Sequence, residues 1–409
     1  MLTDILRAGE KVPAGVAHLP VEEGTSLWGR LPCAADAPVL RLEPGDEAVI
    51  DTLSHEGILE DQGRDPRAFF GAHGVEPEQV LPDAIALAAG HPGRDRATDG
   101  PHVVTGPIHV AGARPGDLLK VTILEHEMRV PYGVVSNRHG RGALPGEYPA
   151  GPGTVSVFAG VEHTPNGPVG TMAPRAGAER TLRFPLRPFL GIMGVAVPGT
   201  ERPHSVPPGR HGGNIDINLL TAGASLYLPV QVEGALAYVG DPHFAQGDGE
   251  VALTAMEASL RSRLRFDVIA REDAIAQFGE VTGPLAETTE YLIPTGMDED
   301  LDLAVKDCVR HAIALLQARW GLDPEHALAY LSAATDFDIS QVVDVVKGVH
   351  ARIRTADFAH LGTGAACRAT GRRGCNSGGR SDRRSDGQGG GGQGSGGHGA
   401  PGRAGPVCR

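Results

Sequence analysis

Cysteine is scarce in this chain of 409 residues, and its spacing is irregular. Cys33 and Cys308 stand alone in the body of the sequence, while Cys367, Cys375 and Cys408 lie near its C-terminus. A disulfide framework or a zinc ribbon needs a regular set of closely spaced cysteines, which this chain does not have. We therefore expect reduced thiols.

Long apolar runs and an excess of basic charge are also lacking. No stretch of 18 apolar residues occurs, and residues 1–20 show no basic segment followed by a sustained apolar one, so neither a membrane span nor a secretory signal is predicted. The 37 basic and 50 acidic residues give a net charge of −13, which would repel a phosphate backbone. These absences predict a cytoplasmic protein that has neither a nucleic-acid nor a membrane partner.

What the chain does have is enough apolar residues, 41%, to bury a core up to a sharp change in composition near Gly364. Residues 363–409 are rich in Gly and Arg with almost no apolar content, so we predict a disordered tail after a domain that spans 1–362. A shifted reading frame in a GC-rich gene is the alternative origin of this tail, and the 33 Arg against 4 Lys favour it.

The pattern of short apolar runs predicts a β-rich fold. Up to about residue 290 these runs are separated by Gly, Pro, Asn or Asp, which is typical of a sandwich or a barrel. From 298 onward apolar residues recur at helical spacing, and Asp323 with Pro324 offers the start of a second helix. We predict an α+β fold with a sandwich or barrel-like strand core and a C-terminal helical pair, in which Cys308 is a core thiol.

Ionisable residues are concentrated in two glycine-rich turns, "PPGRHGGNIDINLLTAG" and "GDPHFAQGDGE". The apolar segments 225–230 and 235–240 lie between them, and we expect these segments to pair as a hairpin that brings Asp216 and Asp241 to one edge. Carboxylates, an imidazole and an amide that converge on one point can ligate a divalent metal or divide acid and base roles. The sequence therefore favours a hydrolase.

Three other interpretations compete with this one. Asp and Asn in turns commonly cap their own backbone, but capping alone does not require His243 and Glu250 as well. His55 and Glu56 begin a zinc-protease motif, which fails because Leu59 stands where its second His should be. "HGGN" resembles an esterase oxyanion loop, yet the chain has no G-x-S-x-G motif, which argues against a serine hydrolase.

Several long segments closely resemble the acetamidase/formamidase family. "PFLGIMGVAVPG" and the block around "GGNIDINLLTAGASLYLPVQVEGALAYVGDPHFAQGDGE" are specific to it, and together the similar segments cover the chain from about 40 to 362. These segments are 105–124, 188–199, 207–268 and 291–316. The resemblance implies hydrolysis of a small aliphatic amide, such as formamide or acetamide, to the carboxylate and ammonia. It also implies a β-rich α+β fold and a homo-oligomer.

The resemblance carries over to six polar positions of this chain. They are His102, Asn214, Asp216, His243, Gln246 and Glu250.

From these positions we predict a role for each group. Glu250 is the expected general base, with Asp216 and His243 as further catalytic residues and with Asn214 and Gln246 in substrate binding. A divalent metal is expected among the acids and imidazoles, and mixed nitrogen and oxygen ligands favour zinc while calcium stays possible. The predicted metal ligands are Asp51, His102, Asp216 and His243.

A non-catalytic member of the family, which binds a small polar ligand or scaffolds an oligomer, is the alternative. It is suggested by "DTLSHEG", where Ser54 and His55 depart from the family pattern. The chain also has an insertion between about 60 and 100, which we expect to affect access to the pocket and hence the size of the substrate. Ammonia release from a panel of amides separates an amidase from a binding protein.

Overall fold

The structure is a computed structural model that describes residues 5–361, except 92, 93, 96 and 179. The predicted tail at 363–409 lies outside the described residues. Within that part of the chain, no helix is both long enough and apolar enough to cross a bilayer.

Strands dominate the described residues, and helices are few. In chain order the strands are β1 Ala17–Leu19, β2 Ser26–Trp28, β3 Leu40–Leu42, β4 Glu47–Asp51, β5 Val103–Val110, β6 Leu118–Met128, β7 Tyr132–Arg138, β8 Thr154–Thr164, β9 Gly167–Met172, β10 Leu182–Pro185, β11 Phe189–Val195, β12 Gly212–Asn214, β13 Ser225–Pro229, β14 Ala237–Ala245, β15 Met256–Glu257, β16 Leu260–Ile269, β17 Leu285–Glu287, β18 Tyr291–Asp298, β19 Asp336–Gln341 and β20 Lys347–Arg354. The α-helices are α1 Pro66–Gly71, α2 Pro82–Gly90, α3 Arg271–Phe278, α4 Leu301–Trp320 and α5 Pro324–Ala334.

The strands form two large sheets that share one hydrophobic core. A nine-stranded sheet runs in the order β1-β4-β16-β6-β13-β17-β18-β20-β19. An eleven-stranded sheet follows the path β10-β9-β8-β7-β15-β14-β11-β12, where β5 also pairs with β14, and β2 and β3 pair with β5. Ile50 and Leu226 of the first sheet belong to the same buried cluster as Ile108 and Met193 of the second. This arrangement confirms the predicted β-rich α+β class.

The predicted hairpin between 225–230 and 235–240 is wrong. Strand β13 pairs with β6 and β17 in one sheet, whereas β14 pairs with β11, β15 and β5 in the other. The connecting segment passes between the sheets, where Gly234 N–H donates to the Ala113 carbonyl and Ala235 and Leu236 take left-handed φ of 59° and 51°. Strand periodicity cannot say which sheet a strand joins, and so the sequence favoured the nearest neighbour.

The predicted helical pair is confirmed by α4 and α5. Asp323 is the N-cap of α5 and Pro324 opens its first turn. Cys308 is fully buried on α4, where its thiol donates to the Pro294 carbonyl at 3.3 Å, as expected of a core cysteine. Strands β19 and β20 follow the pair and return to the first sheet, where β20 lies against β18.

Candidate functional site

The candidate site is built around β11, which brings the two glycine-rich turns together. The Gly191 carbonyl on this strand accepts the Ile215 and Asp216 N–H groups at 3.0 and 3.2 Å. On its other side β11 pairs with β14, with Leu190 opposite Pro242. Asp216 and the polar residues of β14 therefore lie against the same strand, although no hairpin joins them.

Three acidic residues of the site have left-handed backbone conformations. The φ angles are 49° at Asp216, 51° at Asp241 and 45° at Glu250. Such angles in residues with a side chain cost on the order of 1–3 kcal/mol each and occur preferentially at functional sites. The carboxylates are thus held in place by the surrounding structure rather than by local preference.

One part of the site is a trio of two imidazoles and a carboxylate. His55 Nδ1 lies 3.4 Å and His102 Nε2 lies 3.8 Å from Asp241 Oδ1. The other ring nitrogens have separate partners, because His55 Nε2 is 3.4 Å from Glu56 Oε1 and His102 Nδ1 is 3.1 Å from Ser205 Oγ. Each imidazole is therefore oriented from behind while its second nitrogen points toward Asp241.

The two histidines of this trio differ in protonation. Burial lowers the pKa of His102 to about 4, so its ring is neutral. Burial also disfavours the charged form of His55, but the hydrogen-bonding and charge effects of Asp241, Glu257 and Glu56 raise its pKa to about 10. A proton on His55 thus compensates the carboxylates around it, and a cation bound at the same place would displace that proton.

His243 lies at the centre of the site with an acceptor at each ring nitrogen. Its Nε2 is 3.0 Å from Asp241 Oδ2 and 3.1 Å from Glu257 Oε1. Gln246 Nε2 donates to two backbone carbonyls, so its Oε1 faces His243 Nδ1 as an acceptor at 3.0 Å. Although burial opposes it, the charges of Glu257 and Asp241 raise the pKa of His243, and acceptors at both nitrogens favour the imidazolium form.

A further group of carboxylates, Asp216 and Glu250 with Asp344, lies beside His243. Ligand atoms of Asp216, His243 and Glu250 lie within 4.8 Å of one another. Burial and the charges of neighbouring carboxylates raise the pKa of both Asp216 and Glu250, and burial raises that of Asp344 to about 7. Asn214 Nδ2 donates to Asp344 Oδ2 at 2.9 Å. At neutral pH this group therefore holds protons that isolated carboxylates would have lost.

The donors of the site suit a cation. Six carboxylates, of Glu56, Asp216, Asp241, Glu250, Glu257 and Asp344, are buried here. Some of the carboxylate oxygens have no hydrogen-bond partner, and the same is true of two atoms of neighbouring residues. The oxygens are both of Asp216, Asp241 Oδ1 and Glu257 Oε2, and the neighbouring atoms are His55 Nδ1 and Asn214 Oδ1. Buried charges and polar atoms without partners are costly unless a cation or protons neutralise them. His55, His102 and Asp241, like Asp241, His243 and Glu257, could hold a metal ion.

Glycine at position 191 makes the site possible. A Cβ on Gly191 would lie 2.5 Å from Asp216 Oδ1, 2.7 Å from Asp241 Oδ2 and 2.8 Å from His243 Cε1. These separations are shorter than side chains tolerate. The three functional groups therefore converge on the space that a larger residue would fill.

Asp51 is the one predicted site residue that lies elsewhere. Its carboxylate accepts from Arg261 Nε at 2.6 Å and Nη2 at 3.0 Å, and Arg129 Nε is 3.8 Å away. Burial opposes its ionisation, but the Arg261 hydrogen bonds and the Arg129 charge lower its pKa. These two guanidinium groups, with His18 Nε2 at 3.0 Å, surround Asp51 with basic groups, and within the described residues it is not among those that could hold a metal ion.

The other predicted residues come together, and the structure adds members that the sequence did not select. His102, Asn214, Asp216, His243, Gln246 and Glu250 are all buried in or beside the cluster. The added members are His55, Glu56, Glu257 and Asp344, with Asp241, which had been expected near Asp216 but given no role. Glu257 lies opposite His243 in the β14–β15 pair, a register that only the structure reveals. No local pattern indicates Asp344.

The chain resembles known proteins along most of its length. Residues 198–356 match the model of the Acetamidase/Formamidase family. The chain is 28% identical over 303 residues to the formamidase of Methylophilus methylotrophus, which covers 60% of this chain and 74% of that protein. It is also 28% identical over 299 residues to the acetamidase of Mycolicibacterium smegmatis, covering 57% and 73%.

The fold resembles that of a solved acetamidase. The crystal structure of an acetamidase from Bacillus halodurans superposes with a TM-score of 0.65 and 26% identity, over 84% of this chain and 99% of that one. Fold and site together define a β-rich α+β protein with an enclosed cluster of acids and imidazoles. The chain is similar to proteins of the acetamidase/formamidase family.

Proposed function

We propose that this protein is an amidohydrolase that cleaves small aliphatic amides to a carboxylate and ammonia. The observation that carries the proposal is the pairing of a metal-competent trio, His55, His102 and Asp241, with the proton-holding carboxylates Asp216 and Glu250. The formamidase and acetamidase relatives support the same reaction class. The amide carbonyl is a weak electrophile, so its hydrolysis needs an activated water and stabilisation of the developing charge.

We propose His55, His102 and Asp241 as the metal ligands, and zinc as the metal. The free nitrogens of these histidines face Asp241 Oδ1, and each histidine is oriented by a further partner, Glu56 or Ser205, as metal-ligating histidines usually are. Two nitrogen donors favour zinc over calcium, which prefers oxygen. A zinc ion held there would supply Lewis acidity for the substrate carbonyl.

This ligand set differs from the one that the sequence suggested. His243 has acceptors at both nitrogens, so it has no lone pair to offer while it is an imidazolium. We assign it the role of a positive charge beside the reacting amide. Asp51 is neutralised by Arg261 and Arg129, and it is a structural residue in this proposal.

Glu250 is our candidate general base, with Asp216 as its partner. Their raised pKa values favour a proton on one member of the pair, and the ionised member can accept a proton from water. The same carboxyl group can return this proton to the departing nitrogen. Proton transfer by one such group typically contributes about 10²–10⁴-fold to the rate.

The two amide side chains have different roles in this scheme. Both ends of the Gln246 amide are used, at His243 and at two backbone carbonyls, so we assign it to positioning the imidazolium rather than to substrate binding. Asn214 donates to Asp344 but its Oδ1 has no partner. That oxygen can accept an N–H of the substrate amide.

The enclosure of the site favours a small substrate. His243 and Asp216 are 0% exposed, and Glu250, at 7%, is the most accessible of the acids that face them. A cluster buried to this degree favours a short substrate over a long one. We therefore expect formamide and acetamide to be better substrates than longer amides.

Ammonia release from formamide, acetamide, propionamide and butyramide tests the function, with protein that has been stripped of metal and then reloaded with zinc or calcium. We expect turnover only after reloading, and a decline with chain length. Full activity without metal contradicts the metal assignment. A folded, zinc-loaded protein that releases no ammonia from any amide favours the non-catalytic alternative.

Zinc content and activity of two variants distinguish a proposed metal ligand, His102, from the proposed imidazolium, His243. His102→Gln should lose bound zinc and activity together, whereas His243→Gln should keep its zinc and lose activity. His163→Gln, which changes an exposed histidine, is the matched control and should retain both. Loss of zinc from His243→Gln at intact melting temperature would restore His243 as a ligand.

We also propose a cytoplasmic location and a homo-oligomeric state. Cys33 and Cys308 are buried free thiols, which suits a reducing compartment. Light scattering of the full chain tests the oligomeric state. A monomer at micromolar concentration would contradict the second proposal.

A further inference from the structure

A second group of possible metal ligands lies outside the site described above. Asp248, Asp338 and His350 each offer one ligand atom, and these atoms lie within 4.8 Å of one another. Asp248 is exposed, Asp338 of β19 is half-buried and His350 of β20 is buried. The group is thus open to solvent on one side, while its imidazole is fixed from within.

His350 is the unexplained member of the group. It is 0% exposed, and its Nδ1 lies 2.8 Å from Ser340 Oγ. Its Nε2 has no hydrogen-bond partner and lies 3.9 Å from Asp338 Oδ2. Burial lowers the pKa of His350 to about 4, so the ring is neutral at neutral pH. In the tautomer in which Nδ1–H donates to Ser340 Oγ, the lone pair is on Nε2, where it is buried, unpartnered and close to a carboxylate.

The two carboxylates keep capacity for a ligand. Asp248 Oδ1 accepts from Asn218 Nδ2 at 2.9 Å, and Asp338 Oδ2 accepts from Arg352 Nε at 2.6 Å. The positive charges of Arg352 and Arg187 both act on Asp248, and Arg352 also contacts Asp336 at 3.0 Å. These guanidinium groups offset negative charge at the carboxylates but leave His350 Nε2 without a hydrogen-bond partner.

We propose that Asp248, Asp338 and His350 bind a divalent transition metal ion of the zinc type. One nitrogen and two carboxylate oxygens are a known donor combination for zinc, and water would complete the coordination. Donor atoms around one zinc ion lie about 3.3 Å apart at bond lengths of about 2.0 Å, and the three atoms here lie within 4.8 Å of one another, so no pair needs to close by more than about 1.5 Å. Asp248 is on an exposed turn and can make this adjustment.

Ser340 connects this trio to the turn that carries Glu250. The same Ser340 that holds His350 Nδ1 accepts a hydrogen bond from Gln246 Nε2 at 3.1 Å through its carbonyl, and from Gly249 N–H at 3.1 Å. A metal ion bound here would tie the turn that carries Glu250 to β19 and β20.

Zinc stoichiometry of the full chain at saturating free zinc tests the proposal by equilibrium dialysis. We expect His350→Gln and Asp338→Asn each to bind one zinc ion fewer than the wild type. Asp336→Asn, which changes a carboxylate on the same strand that also pairs with Arg352, is the matched control and should bind as many as the wild type. The wild type and these variants have the same cysteines and the same first site. A difference in the number of bound zinc ions therefore reports on Asp248, Asp338 and His350.

Two further variants keep the result interpretable. If His350→Gln does not fold, the exposed Asp248→Asn replaces it and should also lose one zinc ion. In a His102→Gln background the difference of one zinc ion should persist, which separates this site from the one proposed for catalysis. Equal zinc binding by the wild type and by folded Asp248→Asn and Asp338→Asn would overturn the proposal.

Discussion

Replacing Gly191 by alanine is the smallest change that perturbs the whole candidate site. The residue lies in the middle of β11 without a left-handed φ, so alanine fits the backbone there. The new Cβ would nevertheless lie 2.5 Å from Asp216 Oδ1, 2.7 Å from Asp241 Oδ2 and 2.8 Å from His243 Cε1. One methyl group thus presses on a base partner, a proposed metal ligand and the imidazolium at once.

The size of the effect follows from these separations. Ordinary contact begins at 3.4 Å, so the Asp216 oxygen has to retreat by about 0.9 Å. A displacement of about 1 Å at reacting groups can cost on the order of 10²-fold in rate. Overpacking of a filled interior costs typically about 1–3 kcal/mol of stability. We therefore expect kcat/KM to fall by about 10²-fold while the protein stays folded.

Steady-state ammonia release, zinc content and melting temperature of Gly191→Ala test this reasoning. Gly24→Ala is the matched control, because a Cβ at this position would meet nothing within 4 Å and the φ of Gly24 lies outside the left-handed range. The control should keep wild-type values for all three measurements. Wild-type kcat/KM in a folded Gly191→Ala protein would refute the view that catalysis occurs where these three groups converge.

Three other predictions test the base, the charge network and the tail. Glu250→Gln should lower kcat by about 10²-fold or more at unchanged zinc content and melting temperature, and wild-type turnover would exclude it as the base. Because its folded-state pKa is lowered, Asp51 should stabilise the protein above its unfolded pKa of about 3.9 and stop doing so as pH falls through the folded value. Urea unfolding should show Asp51→Asn to be less stable at pH 7 by about 3–5 kcal/mol, since Arg261 loses its buried partner, and an unchanged midpoint would contradict this. Deleting 364–409 should leave activity and melting temperature nearly unchanged, and a large fall in either would assign the tail a structural role.

Local pattern predicted the strands well but not their partners. The runs at 118–124 and 264–270 belong to β6 and β16, which lie side by side, and Leu264 and Phe266 alternate with half-exposed neighbours as a strand requires. The sheet that receives each strand depends on contacts distant in sequence, such as that between Gly234 and Ala113. The hairpin prediction was wrong for this reason.

The predicted part of the site is the part encoded in a single stretch of chain. Asp216, His243 and Glu250 were selected because they stand in glycine-rich turns around one block of sequence. His55 and Asp344 are separated from that block by long stretches of chain, and tertiary structure alone brings them there. The sequence could not show that Asp51 is neutralised by arginines, because such pairing is a property of the fold.

The backbone conformations of the site connect its fold to its chemistry. Asp216, Asp241 and Glu250 all have a left-handed φ, although glycine takes such angles more easily and does so nearby at Gly213 and Gly249. If tight turns alone were needed, glycine would serve at all five positions. A carboxylate in place of glycine adds backbone strain and places a negative charge in a buried cluster, and both effects destabilise the folded chain. A bound cation and the substrate amide would offset the charge, so the strained acids are better explained by what they bind than by how the chain folds.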